Sequence, residues 1–240
     1  ESPFLAPCVP SLRRATSARL VLRSHNLEHR IWEGLARSAR HPARRLALGH
    51  FARRLRAFEL APLNDLDAIL PITAEDGESY RQLGVRVPLH TTPVGIPAGE
   101  YPDRSGLGDR RTLLFLGALD WRPNLEAIRW FLDSVWPLVR RALPDARLDV
   151  AGSKPPPGLG GADRGDGVRF LGRVANAREF LGSGAAMVVP LLSGAGVRVK
   201  ILEAMALGVP VVSTRLGAAG IGARDGEEIL LADSPDDLAG

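Results

Sequence analysis

Pro190-Leu-Leu-Ser-Gly-Ala-Gly-Val-Arg-Val-Lys-Ile-Leu-Glu-Ala-Met-Ala-Leu-Gly-Val-Pro-Val-Val-Ser-Thr214 reads as a strand end, a glycine-rich loop, a helix and a further strand. The apolar run Ala186-Met-Val-Val-Pro190 leads into the loop. Gly194 and Gly196 leave backbone N–H groups free to face an anion, with Ala195 and Val197 supplying amides beside them. The helix that follows aims the positive end of its dipole at the same spot. Arg198 and Lys200 add full charges in its first turns, and Glu203 stands one turn further on. Phosphate donors next to a carboxylate that accepts hydroxyl bonds suit a nucleotide diphosphate with its ribose. A nucleotide-linked substrate is the expectation.

The same alternation extends in both directions. Upstream lie the strands Thr112–Gly117, Arg147–Gly152, Val168–Leu171 and Met187–Pro190. The pattern predicts helices over Asn124–Ala142 and Ala177–Leu181, the first with Ile128, Phe131, Leu132 and Val135 on one side. Pro155–Gly167 reads as a loose loop. Downstream, Pro210–Ser213 and Glu228–Leu231 are strands, and Asp233–Gly240 opens a helix. Strands alternating with helices imply a parallel sheet covered on both faces, with ligands beyond the carboxyl ends of the strands.

A separate α/β body precedes this one. Arg19–Arg23 and Asp67–Ile72 read as strands, and Leu89–Gly95 as a third extended piece. A helical segment spans Glu28–Leu60 with a break near His41-Pro42. Thr73 and Asp76 form a capping box for a helix ending near Gly84. The expected domains are 1–96, a linker over 97–110, and 111–240. Three strands are too few for a complete first domain, so its beginning is expected to be missing. The start at Glu1 and the helix that opens at Asp233–Gly240 are read in the same way, as marks of a fragment.

Composition narrows the function classes. Hydrophobic residues make up 45% and charged residues 24%, ordinary for a globular domain. No apolar run approaches the ~20 residues of a membrane span, and no signal peptide is read after Glu1. A single cysteine, Cys8, excludes an internal disulfide or a multi-cysteine zinc site and reads as a small apolar filler in a reducing compartment. Basic residues are almost all arginine; the only lysines are Lys154 and Lys200. Arg30–Arg56 carries eight arginines against one acid, Glu33. Two readings stand for it: a surface docking on anionic lipid, or a solvated helix pair. Nucleic-acid binding is disfavoured, because no aromatic residues interleave the charge.

Several segments together resemble family 4 glycosyltransferases. They are Phe115-Leu-Gly-Ala-Leu-Asp-Trp-Arg-Pro-Asn124, Gly152, Val168–Gly172, Gly194–Ala206, Pro210–Thr214 and Gly217-Ala-Ala-Gly-Ile221. Arg23-Ser-His-Asn-Leu-Glu28 is similar to the His-Asn-x-Glu element of one branch. The resemblance implies a GT-B fold of two Rossmann-like domains, the first incomplete here, with no obligatory metal and no cofactor. It implies a retaining transfer of sugar from a nucleotide-sugar donor to an acceptor sugar or lipid-linked sugar. The setting would be cytoplasmic, peripheral at the inner face of the membrane.

By that resemblance Glu203 bonds the ribose hydroxyls, Gly117 and Gly152 line the donor site, and Leu171 offers its backbone near the base. The family often has a second glutamate eight residues before the first; Ala195 stands there. Ala118 occupies the expected arginine position after the first strand, and Arg122 lies near the expected lysine. Lys200, Arg198 and Arg122 are the candidates for the leaving diphosphate. His25 would meet the sugar or acceptor, and Glu28 is read as capping its own helix. Rivals are a catalytically inactive nucleotide-binding module and a nucleotide-sugar epimerase. A dinucleotide dehydrogenase lacks its third glycine, and no paired carboxylates argue for double displacement.

Overall fold

In the computed structural model, which describes residues 3–39, 41–102, 108–155 and 166–240, the chain forms two units. One comprises Glu1–Gly95 with Gly194–Val197, the other Ile96–Ser193 with Arg198–Gly240. Most of the predicted Pro155–Gly167 loop, and residues 103–107 of the linker, lie outside the described residues.

The first unit runs α1 (Val9–Ala15), β1 (Val21–Ser24), α2 (Glu28–Ser38), α3 (Pro42–Leu60), β2 (Ala68–Pro71) and α4 (Ala74–Gln82). Strands β1 and β2 pair in parallel, Val21 opposite Ala68. The third extended piece runs parallel to β2 through a bridge from Leu89 to Ile69 and a bond from the Thr92 amide to Pro71 O at 2.8 Å, and is not a full strand. Leu27, Leu63, Ile69, Tyr80 and Val85 form the core. The capping box at α4 is present: Thr73 Oγ1 accepts from the Asp76 amide at 3.0 Å. Proline at position 42 restricts His41 to extended backbone, which separates α2 from α3. Cys8, expected as a filler, is exposed.

The cap of α2 differs from expectation. Glu28 does not serve itself; Glu59 of α3 does so from 31 positions away. Its carboxylate accepts from the amides of Glu28 at 2.9 Å and His29 at 3.0 Å, and meets Nδ1 of His29 at 2.7 Å. Both side chains are buried. Removing a buried partner leaves polar groups without bonds. Glu59→Ala is therefore expected to destabilise the protein by about 2–4 kcal/mol, read by urea unfolding. A loss below about 0.5 kcal/mol, the scale of a neutral surface change, would contradict this capping role.

The second unit contains β3 (Asp109–Leu116), α5 (Arg122–Trp130), α6 (Trp136–Ala142), β4 (Arg147–Ala151), β5 (Val168–Gly172) and α7 (Ala177–Leu181). It continues through β6 (Gly184–Val189), α8 (Val199–Ala206), β7 (Val211–Ser213), β8 (Leu230–Leu231) and α9 (Pro235–Ala239). All six strands are parallel, in the order β5-β4-β3-β6-β7-β8. Between β3 and β6 the order reverses direction. Phe115, Ile128, Phe131, Val135, Leu148, Val150, Met187 and Ile201 pack the core.

Two details depart from the simple pattern. The long helix begins at Arg122, not Asn124, and a π-turn over Phe131–Val135 joins α5 to α6. Pro137 explains the π-turn: it cannot donate to the preceding turn, so the helix widens ahead of it. The last strand is only Leu230–Leu231, shorter than Glu228–Leu231.

Candidate functional site

Strands β3, β4 and β5 end side by side in glycines. The Gly117 amide donates to Ala151 O at 2.9 Å, and the Gly152 amide to Gly172 O at 2.8 Å. A Cβ on Gly152 would overlap the Gly117 carbonyl, and one on Gly117 would lie 2.7 Å from Nδ2 of Asn124. Glycine is required at both positions by this close approach. Leu171 is the extra residue where the β4–β5 register shifts, and it is exposed. Such a bulge re-aims the chain at a strand end.

Lys200 reaches this rim from α8. Its ammonium donates to Leu116 O at 2.5 Å, and lies 5.4 Å from the centroid of the Phe115 ring. The residue as a whole is half-buried, and its ammonium is deep. Burial, and then the charge of Arg198, pull its pKa from 10.5 to about 8. Arg198 occupies the position just before α8, is itself buried, and its pKa is lowered by that burial. A cation held in poor solvation gains more from an arriving anion than an exposed one does. The rim lies where β3 and β6 are neighbours and the strand order reverses, the usual ligand position in an open parallel sheet.

Glu203, two helical residues beyond Ile201, is half-buried and accepts from the Tyr101 hydroxyl at 2.9 Å through Oε1. Arg122 is the first residue of α5. Its Nε meets Glu126 Oε1 at 2.6 Å, and Ser193 Oγ donates to Glu126 Oε2 at 3.1 Å. Glu126 ties the segment before the glycine loop to α5 and holds Arg122 in an ion pair. Its sequence signal is the (i, i+4) spacing from Arg122. Tyr101 and Glu126 went unread in the sequence as neighbours of the site. Lys154 pairs with Asp120 at 2.9 Å in the turn after β3.

The structure thus brings Gly117, Gly152, Leu171 and Lys200 to one set of strand ends, with Arg198 and Glu203 on the same helix as Lys200. Arg122 stands at the N-terminus of α5. His25 and Gly194, Ala195, Gly196 and Val197 belong to the first unit. There His25 is exposed just beyond β1, and a Cβ on Gly196 would be 3.7 Å from His25 O. Gly194 and Gly196 have φ of 120° and 82°, conformations that favour glycine. Among the described residues no group of three or more His, Cys, Asp or Glu is placed to hold a metal ion.

A model of the family described as glycosyl transferases group 1 matches residues 110–240. A phosphatidyl-myo-inositol mannosyltransferase of Propionibacterium freudenreichii is 33% identical over 166 residues, which are 64% of this chain and 39% of that protein. A protein of the cps region of Klebsiella pneumoniae, described as an uncharacterized 44.6 kDa protein, is 30% identical over 129 residues, 50% of this chain and 33% of that one. The chain therefore spans only 33–39% of the length of these curated relatives. Among solved structures, Anabaena Alr3699/HepE in complex with UDP aligns with a TM-score of 0.70 at 15% identity, over 99% of this chain and 65% of that one. Sucrose-phosphate synthase from Thermosynechococcus elongatus aligns with a TM-score of 0.67 at 20% identity, over 99% and 61%. At such identities the likeness is one of fold: α/β with parallel sheets, of the GT-B type.

Proposed function

Because the chain belongs to the glycosyl transferases group 1 family, we propose that it serves to move a sugar from a nucleotide-sugar donor to an acceptor hydroxyl. The observation that carries this reading is Lys200, a deep ammonium with its pKa drawn to about 8 at the strand ends of a doubly wound sheet. A deep ammonium at these strand ends is placed to meet a diphosphate. Lys200 and Arg198 would neutralise charge on the leaving diphosphate, and the amides of Gly194, Ala195, Gly196 and Val197 are proposed as further donors to it. Glu203 would take the ribose hydroxyls, and Gly117, Gly152 and Leu171 would line the nucleotide. Arg122 would join the phosphate cations only by exchanging its bond to Glu126. His25 would serve the acceptor side.

The finer features belong to the same proposal. They are membership of family 4 and its His-Asn-x-Glu branch, transfer with retention by same-face attack, and charge neutralisation by Lys200 and Arg198 without a metal. The UDP in the Anabaena structure supports a nucleotide-sugar donor. The Propionibacterium relative, named for phosphatidyl-myo-inositol, supports a lipid-linked acceptor. Product assays on the full-length protein with a panel of UDP- and GDP-sugars test the reading. Transfer to an acceptor supports it. Nucleotide binding without transfer favours the inactive module, and formation of an epimerised sugar without an acceptor favours the epimerase.

Attachment at the inner face of the membrane is proposed from α3. Leu46 is 74% exposed, and Phe51 and Phe58 are also exposed. Arg44, Arg45, Arg53, Arg54 and Arg56 stand exposed among them. Among the described residues no helix is long and apolar enough to cross a membrane. Flotation with vesicles containing phosphatidylglycerol is expected to carry the protein, and Arg53→Glu with Arg54→Glu to release it. Equal flotation of the double variant would sink this part of the proposal.

A further inference from the structure

Tyr101 lies in the segment that follows the first unit, and its ring is buried although no strand or helix holds it. Its hydroxyl donates to Glu203 Oε1 at 2.9 Å. The guanidinium of Arg178, from α7, sits 4.1 Å from the centroid of the same ring. Arg178 is in turn held by Glu100, through Oε2 at 3.2 Å and the backbone carbonyl at 3.2 Å. A chain of contacts therefore runs Glu100–Arg178–Tyr101–Glu203. Burial, and then the Glu203 carboxylate, push the phenol above its ordinary pKa, so it remains a donor at neutral pH.

The chemistry of this partner is informative. An arginine beside Glu203 would take both carboxylate oxygens in a bidentate pair and leave little for a ligand. Arg178 is near enough to stack on Tyr101, yet its charge is directed to Glu100. The phenol is neutral and donates once. It leaves Oε2 and a second lone pair of Oε1 available, and leaves the carboxylate charge intact. A glutamate whose torsions are already fixed also loses less freedom when a ligand arrives.

We infer that Tyr101 is a positioning residue for Glu203, holding its carboxylate in the orientation that accepts two vicinal ribose hydroxyls. This rests on the reading of Glu203 as the ribose ligand. Packing alone would be met by phenylalanine; the hydroxyl is what reaches the carboxylate. Tyr101 thus sets the preference of the site for ribonucleotides without touching the nucleotide itself.

The experiment uses Tyr101→Phe and Glu203→Gln in the full-length protein. Calorimetry gives the Kd of UDP or GDP, whichever the panel shows to bind, of its 2′-deoxy analogue, and of inorganic pyrophosphate. The unaltered protein is expected to prefer the ribonucleotide by about tenfold or more, the scale of a hydrogen bond to a charged group. Tyr101→Phe, which keeps the ring under Arg178, is expected to cut that preference by about threefold or more and to leave pyrophosphate unchanged. If Tyr101→Phe retains the full preference while Glu203→Gln abolishes it, the inference fails and the ribose reading stands. If Tyr101→Phe weakens all three ligands equally, the ring merely packs and the inference also fails. If Glu203→Gln leaves the preference intact, the ribose reading fails and takes the inference with it.

Discussion

Replacing Lys200 by alanine is expected to lower turnover by about a hundredfold or more, the scale seen when one donor to a developing anion is removed. The loss should exceed the loss in donor affinity, because charge accumulates on the diphosphate as the sugar departs. Folding is not expected to suffer. A pKa drawn from 10.5 to about 8 means that the buried ammonium costs the folded state on the order of 3 kcal/mol. The sign follows from proton counts. Between about pH 8 and 10.5 the unfolded chain holds more protons at this site, so the lysine contribution to stability rises with pH over that window. At pH 7 the cost is fully present, and the alanine variant should be about as stable as the parent. Affinity runs the other way. As pH rises through about 8 the ammonium discharges, and the free protein should bind nucleoside diphosphate more weakly, up to about tenfold per pH unit. The variant should lack that decline. An unchanged turnover number, or the same pH dependence in the variant, would remove Lys200 from the mechanism.

Glu203→Ala is expected to weaken nucleoside diphosphate binding by about 10- to 100-fold, from the loss of charge-assisted bonds to two hydroxyls. Inorganic pyrophosphate has no ribose and should bind as before. Calorimetry with both ligands separates this effect from damage to the phosphate site. Equal affinity of parent and variant for the nucleotide would refute the ribose assignment. The variant also strips the Tyr101 hydroxyl of its acceptor, so binding and unfolding should be measured on the same preparation.

Elements with a local cause were legible in the sequence. Thr73 and Asp76 announced a helix start, and the first turn bears it out. Pro42 announced the break between α2 and α3. The apolar stripe Ile128, Phe131, Leu132 and Val135 announced a core-facing helix, and all four are buried. The π-turn is not legible in the stripe alone, because Asn124–Ala142 reads as one continuous amphipathic run and the stripe carries no mark of the widening ahead of Pro137. The cap of α2 was missed because its acceptor, Glu59, lies a whole helix away. Cys8 was misjudged because hydrophobic character does not say which side of a short turn faces the core.

By itself the sequence determined the alternation of strands and helices, the glycine-bearing loop, and the run of Arg198, Lys200 and Glu203 along one helix. These depend on spacing within a few residues, where the chain geometry admits few outcomes. Tertiary structure alone decided the distant partners: Leu116 O for Lys200, Tyr101 for Glu203, and Ser193 for Glu126. Those contacts follow from the order β5-β4-β3-β6-β7-β8. Strand order is set by how whole helices cover a sheet, so no short stretch of residues encodes which distant carbonyl a lysine will reach.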